Sequence, residues 1–121
     1  MAVLIAVRDL VFRSKIESSA RRVEVAVAAA PRGQPLPEAV RALGPRTVVA
    51  DLGEPGMIEA LRSARELAPE IRIIGFFGHL REDLAEAATA LGVEVYTRGQ
   101  LAARLDTILS GAGAVVPKPP A

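Results

Sequence analysis

The sequence contains no cysteine and no tryptophan, one histidine, one tyrosine and three phenylalanines. Without cysteine it has neither a disulfide framework nor a thiolate metal site. The lone His79 has no second imidazole with which to build a histidine-rich zinc centre. So few aromatics provide no platform on which bases stack. Fifteen basic residues against fourteen acidic ones leave a formal charge of +1, without the cationic excess that duplex nucleic acid demands. No apolar run reaches the roughly 18 residues of a membrane span. The opening Met1–Val7 is apolar, but Arg8 and Asp9 end it and no cationic region precedes it, so it reads as a buried strand rather than a signal peptide. The expectation is a cytoplasmic protein with no nucleic-acid partner and no membrane insertion.

What is present is a chain of 121 residues, half of them hydrophobic, enough for one domain with its own core. Short apolar runs alternate with helical patterns along it. Strands are predicted over residues 2–8, Val23 to Val27, Thr47–Ala50 ending at Asp51, Ile71–Phe77 and Val93–Tyr96. Between and after them, helices are predicted near 10–22, 37–43, 57–68, 81–91 and 99–110. In the first helix Leu10, Phe12, Ile16 and Ala20 supply the apolar stripe. Gly44-Pro45 is a helix stop signal, and Pro31–Pro37 is a loop by composition. Residues 1–110 therefore form one predicted domain, and residues 111–121 a flexible Pro/Gly-rich tail.

Five strands alternating with five helices predict an α/β fold with a single five-stranded, doubly wound parallel sheet, (βα)5 in flavodoxin-like topology. Such sheets bind ligands beyond the carboxyl ends of their strands. The residues to inspect are therefore Arg8-Asp9, Asp51, Phe77-Gly78-His79 and Thr97-Arg98. Asp9 and Asp51 follow neighbouring strands, so their carboxylates are expected at one edge. Two carboxylates and a loop carbonyl suit a hard cation such as Mg²⁺. Each residue also has a plainer reading. Asp51 caps the loop after its strand, and Asp9 caps the first helix. Arg8 is an ion-pair partner of Asp51 or Asp9. His79 is a solvated loop residue. Phe76 and Phe77 are core, with Phe77, at the strand end, the more exposed.

The five-fold alternation over residues 2–110 resembles the receiver (CheY-like) domain of bacterial response regulators. Val48–Gly56, in which an aspartate ends the third strand and a proline follows four residues later, is similar to a stretch of that family. The resemblance implies that Asp51 is the phosphoacceptor, that Asp9 is the metal-binding member of an acidic pair whose other member is replaced by Arg8, and that Gly53 supplies a main-chain metal ligand. It also implies departures. Phe77 stands where the family carries a switch hydroxyl, followed by Gly78 at the small position. Arg98-Gly99 stands where it carries Lys-Pro, which makes Arg98 the phosphoryl-binding candidate. A one-residue slip, to Gly99-Gln100, would put Asp106 into the core, so the Arg98 register is preferred.

With one acid, the switch hydroxyl, the lysine and the proline changed, the pattern resembles an atypical or pseudo-receiver. The function expected is that of a stand-alone signalling protein, not an enzyme, acting by protein–protein interaction independently of phosphorylation. It needs no cofactor, or Mg²⁺ if the acidic pocket works. Expected partners are a histidine kinase or an adaptor or output protein, with a homodimer as a further form. The resemblance places the partner surface around His79, Leu80, Tyr96 and Arg104. Two alternatives stand beside this reading: a phosphorylatable single-domain response regulator using Asp51 and Mg²⁺, and a small-ligand-binding flavodoxin-like module.

Overall fold

The computed structural model describes residues 2–78 and 81–111; the expectations for His79, Leu80 and residues 112–121 lie outside it. The strands are β1 (Val3–Ala6), β2 (Val27–Ala29), β3 (Thr47–Asp51), β4 (Arg72–Phe77) and β5 (Glu94–Thr97). The helices are α1 (Leu10–Arg22), α2 (Leu36–Leu43), α3 (Met57–Leu67), α4 (Glu82–Ala90), α5 (Arg98–Ala103) and α6 (Leu105–Ser110). All strand pairs are parallel, in the order β2-β1-β3-β4-β5, the predicted doubly wound sheet.

The pleat sorts the strand residues onto two faces. Leu4, Ala6, Val48, Ala50, Ile73 and Phe77 point to the side of α2 and α3, where Val40, Leu61 and Ala64 pack. Val3, Ile5, Val49, Ile74 and Phe76 point to the opposite side, against Phe12 and Ile16 of α1 and Leu101 and Leu109 of the last helices. Burial on both faces explains why these strands read as continuous apolar runs. Gly75 sits between Ile73 and Phe77; a Cβ there would meet Leu52 Cδ2 at 2.8 Å. Leu52 is itself buried, so the missing side chain makes room for it.

Three local expectations are corrected. The second strand begins at Val27, because the α1 turn continues through Val23, whose N–H donates to Ser19 O at 3.1 Å, and Glu24 turns the chain with φ 57. The last helix is broken at Arg104 (φ −123°, ψ 17°), giving α5 and α6. Leu10 is not part of the buried stripe: it is 60% exposed, and Val11 beside it is 70% exposed. The Gly44 stop signal is realised as a left-handed C-cap with φ 58, where glycine has no Cβ penalty.

Candidate functional site at the carboxyl ends of the strands

The register brings Asp51 beside Phe76, Phe76 beside Tyr96, and Phe77 beside Thr97. Asp9 follows β1, the other neighbour of β3. Among the described residues, Arg8, Asp9, Asp51, Phe77, Gly78, Thr97 and Arg98 thus gather at one edge of the sheet.

Asp9 is the N-cap of α1. Its Oδ1 accepts from Val11 N at 3.0 Å and Phe12 N at 3.2 Å. Its Oδ2 accepts from Arg98 Nη1 at 2.7 Å. The Arg98 hydrogen bond first, and the Phe12 N–H next, hold the Asp9 carboxyl below its ordinary value. The Arg98 guanidinium lies 5.0 Å from the centroid of Phe12 and 5.8 Å from that of Phe76. Those rings pack at 4.6 Å with a 45° tilt. Arg98 is therefore held by a carboxylate and by two aromatic faces. It is the first residue of α5, whose start is fixed by a capping box: Gln100 N donates to Thr97 Oγ1 at 3.1 Å, and Thr97 N donates to Gln100 Oε1 at 2.9 Å.

Asp51 folds onto its own loop. Its Oδ1 accepts from Gly53 N at 2.9 Å, and its backbone oxygen accepts from Glu54 N at 3.2 Å. A Cβ at Gly53 would sit 3.3 Å from that Oδ1. The backbone N–H of Arg8 donates to Glu54 Oε1 at 3.1 Å. Burial pushes the Glu54 carboxyl above its ordinary value; the Arg8 N–H opposes this and the charge of Asp51 reinforces it. Among the described residues, the Arg8 guanidinium makes no ion pair within 4.0 Å. The expected pair of Arg8 with Asp51 or Asp9 is thus replaced by Arg98 with Asp9. Arg98 has the Phe12–Phe76 platform to lie on, and the exposed Arg8 follows β1 at the loop.

Phe76 and Phe77 are both core, and Phe77 is the more exposed of the two, though by little. At 4% exposure Phe77 packs in the α2–α3 side of the core, while Phe76 supports Arg98 on the other face. Gly78 after it is exposed, with open space where a Cβ would stand. Tyr96 is half-buried against the α1 side of the core; its hydroxyl donates to Glu94 Oε1 at 3.3 Å, and burial first, then Glu94, pushes its pKa up. Arg104 is exposed at the α5–α6 break.

For a hard divalent cation at Asp9 the guanidinium of Arg98 is the competitor. Both Asp9 oxygens already accept hydrogen bonds, one of them from a guanidinium. Among the described residues no three His, Cys, Asp or Glu side chains gather as a metal site. Reading the sequence missed Glu54 and the aromatic support of Arg98, which arise from long-range packing. The Thr97-x-x-Gln100 spacing did carry the capping-box signal.

Among the described residues no helix is long and apolar enough to cross a membrane. No family model and no curated protein matches the chain. Solved structures do. A LuxR-family two-component response regulator from Aurantimonas sp. is 29% identical, with a TM-score of 0.69 over 95% of this chain and 88% of that one. The receiver domain of the response regulator AraT from Geobacillus stearothermophilus is 25% identical, with a TM-score of 0.75 over 93% of this chain and 94% of that one. The receiver domain of the Saccharomyces cerevisiae response regulator Ssk1, crystallised with the phosphotransfer protein Ypd1, is 17% identical, with a TM-score of 0.75 over 92% of this chain and 87% of that one. The five parallel strands, their order and these neighbours together give the chain the receiver, CheY-like fold of the response regulators.

Proposed function

We propose that the protein is a pseudo-receiver: a cytoplasmic signalling module that acts by binding other signalling proteins, without catalysis, without a metal and independently of phosphorylation. The observation that carries this reading is the Asp9–Arg98 pair. A phosphoacceptor aspartate needs a nearby cation to neutralise the phosphoryl oxygens. Here the acid that would hold that cation is bonded to Arg98 at 2.7 Å instead. The position of the switch hydroxyl supports the same reading: Phe77 is buried and offers no donor to a phosphoryl oxygen. A two-state switch needs an element that the modification biases, and a buried phenyl ring cannot be that element. Binding to a signalling partner is supported by the yeast receiver crystallised with its phosphotransfer protein.

The test is amide NMR of the protein and of Asp51→Asn, titrated with Mg²⁺ and then beryllofluoride, which stands in for a phosphoryl group on an aspartate. The expected result is that Asp9, Asp51 and Gly53 keep their shifts. Shifts that spread from Asp51 to Tyr96 and vanish in Asp51→Asn would replace this reading with a working, Mg²⁺-dependent phosphoswitch.

A further inference from the structure

A groove of about 770 Å³ lies between α1 and the α5–α6 pair, and Arg104, where the helix breaks, lines it. The groove has an apolar end and three cations, of which Arg22 is paired. Leu10 and Val11, the two most exposed large hydrophobic side chains among the described residues, stand at the N-terminal end of α1. Ser14, Ser18, Ala102 and Ala103 line the space between the helices with short side chains. Asp106 is bonded to Arg22 at 2.9 Å and accepts from Ser19, so its charge is used within the fold. Lys15 and Arg104 also line the groove and, among the described residues, make no ion pair.

We infer that this groove docks an acidic amphipathic helix of a partner protein, its apolar stripe on Leu10 and Val11 and its carboxylates on Lys15 and Arg104. Two helices with a channel of short side chains between them suit a third helix, which packs ridge into groove. Charge selects the occupant. A second copy would present the same patch across a two-fold axis, bringing a surplus of cations on one copy against the same surplus on the other. Residues 112–121 of this chain contain one lysine and no acidic residue, so they cannot answer Lys15 and Arg104. An acidic helix answers both. Leu10 directly follows Asp9, so the docked helix would begin beside the Asp9–Arg98 pair. This inference rests on the reading of the chain as a binding module, but its test uses neither Mg²⁺ nor beryllofluoride.

The test uses the full-length ¹⁵N-labelled chain and two helix-stabilised synthetic peptides. Both carry leucine at helical spacing; one is flanked by glutamate, the other by lysine. The expected result is saturable shifts at Leu10, Val11, Ala102, Ala103 and Arg104 with the glutamate peptide only. Leu10→Ser with Val11→Ser should weaken that binding by about tenfold or more, as loss of interface anchors does. Both residues are exposed, so the fold should survive, which thermal unfolding checks. Lys15→Glu with Arg104→Glu should transfer binding to the lysine peptide. Equal binding of the two peptides, no saturable shift with the glutamate peptide, or shifts confined to α4 and β5 would overturn the inference. So would groove shifts that depend on protein concentration without peptide, which would assign the surface to a second copy. None of these outcomes bears on whether Asp51 answers beryllofluoride.

Discussion

At the amino end of the sheet Arg72 grips Glu94 through two hydrogen bonds, from Nε to Oε2 and from Nη2 to Oε1 at 2.9 Å, and a third goes from Nη1 to Ile108 O at 3.1 Å. At the carboxyl end Arg98 holds Asp9 through one. The Arg72 side chain is 19% exposed and that of Arg98 41%. Nearby, Arg65 donates to the backbone oxygens of Pro69, Ile71, Leu91 and Gly92, tying the loop before β4 to the loop before β5. The amino end is thus stitched by forked guanidinium contacts that satisfy backbone carbonyls as well as a carboxylate. The carboxyl end is closed by a single arginine laid over aromatic rings. A half-buried arginine that engages both a carboxylate and a backbone carbonyl serves the fold. One that reaches a single acid at the strand ends can be altered at little structural cost, which suits a place where open α/β sheets keep their chemistry.

The comparison breaks if the two arginines prove equal in stability. Arg72→Met leaves Glu94 half-buried without its arginine partner and removes the Nη1 donor from Ile108 O. The expected loss is about 2 kcal/mol, between that of an exposed pair and that of a buried one, read from urea unfolding. Arg98→Met keeps a side chain over Phe12 and Phe76 but loses the cation. There the expected loss is about 1 kcal/mol. Because Arg98 and Asp9 are both more than a third exposed, molar salt should shrink the Arg98→Met effect more than the Arg72→Met effect. Equal losses, or equal salt sensitivity, would show the carboxyl end to be as much a staple as the amino end.

The helix over 10–22, the strand ending at Asp51 and the Gly44 stop were legible because each rests on local chemistry: an apolar stripe, a two-face apolar run, a residue suited to positive φ. The second strand was not. Val23, Val25 and Val27 alternate as a strand does, yet Val23 closes the last turn of α1, and both arrangements pack valines against the same side of the core. The break at Arg104 was equally hidden, since Leu101, Leu105, Ile108 and Leu109 are buried whether the helix is continuous or broken. At the site, the topology placed Asp9, Asp51 and Arg98 at one edge. It did not say which arginine would reach which acid. That choice follows from the Phe12–Phe76 contact between α1 and β4, which no local pattern encodes.

A smaller effect sharpens the description of the carboxyl end through pH. Asp9→Asn keeps an oxygen to cap α1 but loses the charge facing Arg98. The folded Asp9 carboxyl lies below its ordinary value, chiefly through Arg98, so its contribution is full above the unfolded value of about 4. It is lost as pH falls through the lower folded value. The stability gap between the protein and Asp9→Asn should therefore be constant at neutral pH and close in acid. A gap that persists unchanged at the acid end would remove the charge of Asp9 from the account of this pair.

The smallest effect belongs to Asp51. An asparagine there keeps the acceptor for Gly53 N, and no cation within 4.0 Å among the described residues loses a partner. Asp51→Asn should therefore change stability by no more than about 0.5 kcal/mol, the range of ordinary surface substitutions. It should have a distinct electrostatic signature. The Glu54 carboxyl is held up mainly by burial, with the charge of Asp51 adding to it. Neutralising Asp51 removes that repulsion, so the Glu54 carboxyl should titrate lower in Asp51→Asn, read from its side-chain carboxyl shift by NMR. Burial remains, so it should stay above its ordinary value. A Glu54 titration that does not move would mean that the two carboxylates are electrostatically independent. A large loss of stability would mean that the Asp51 charge is engaged by a cation that its hydrogen bond to Gly53 does not account for.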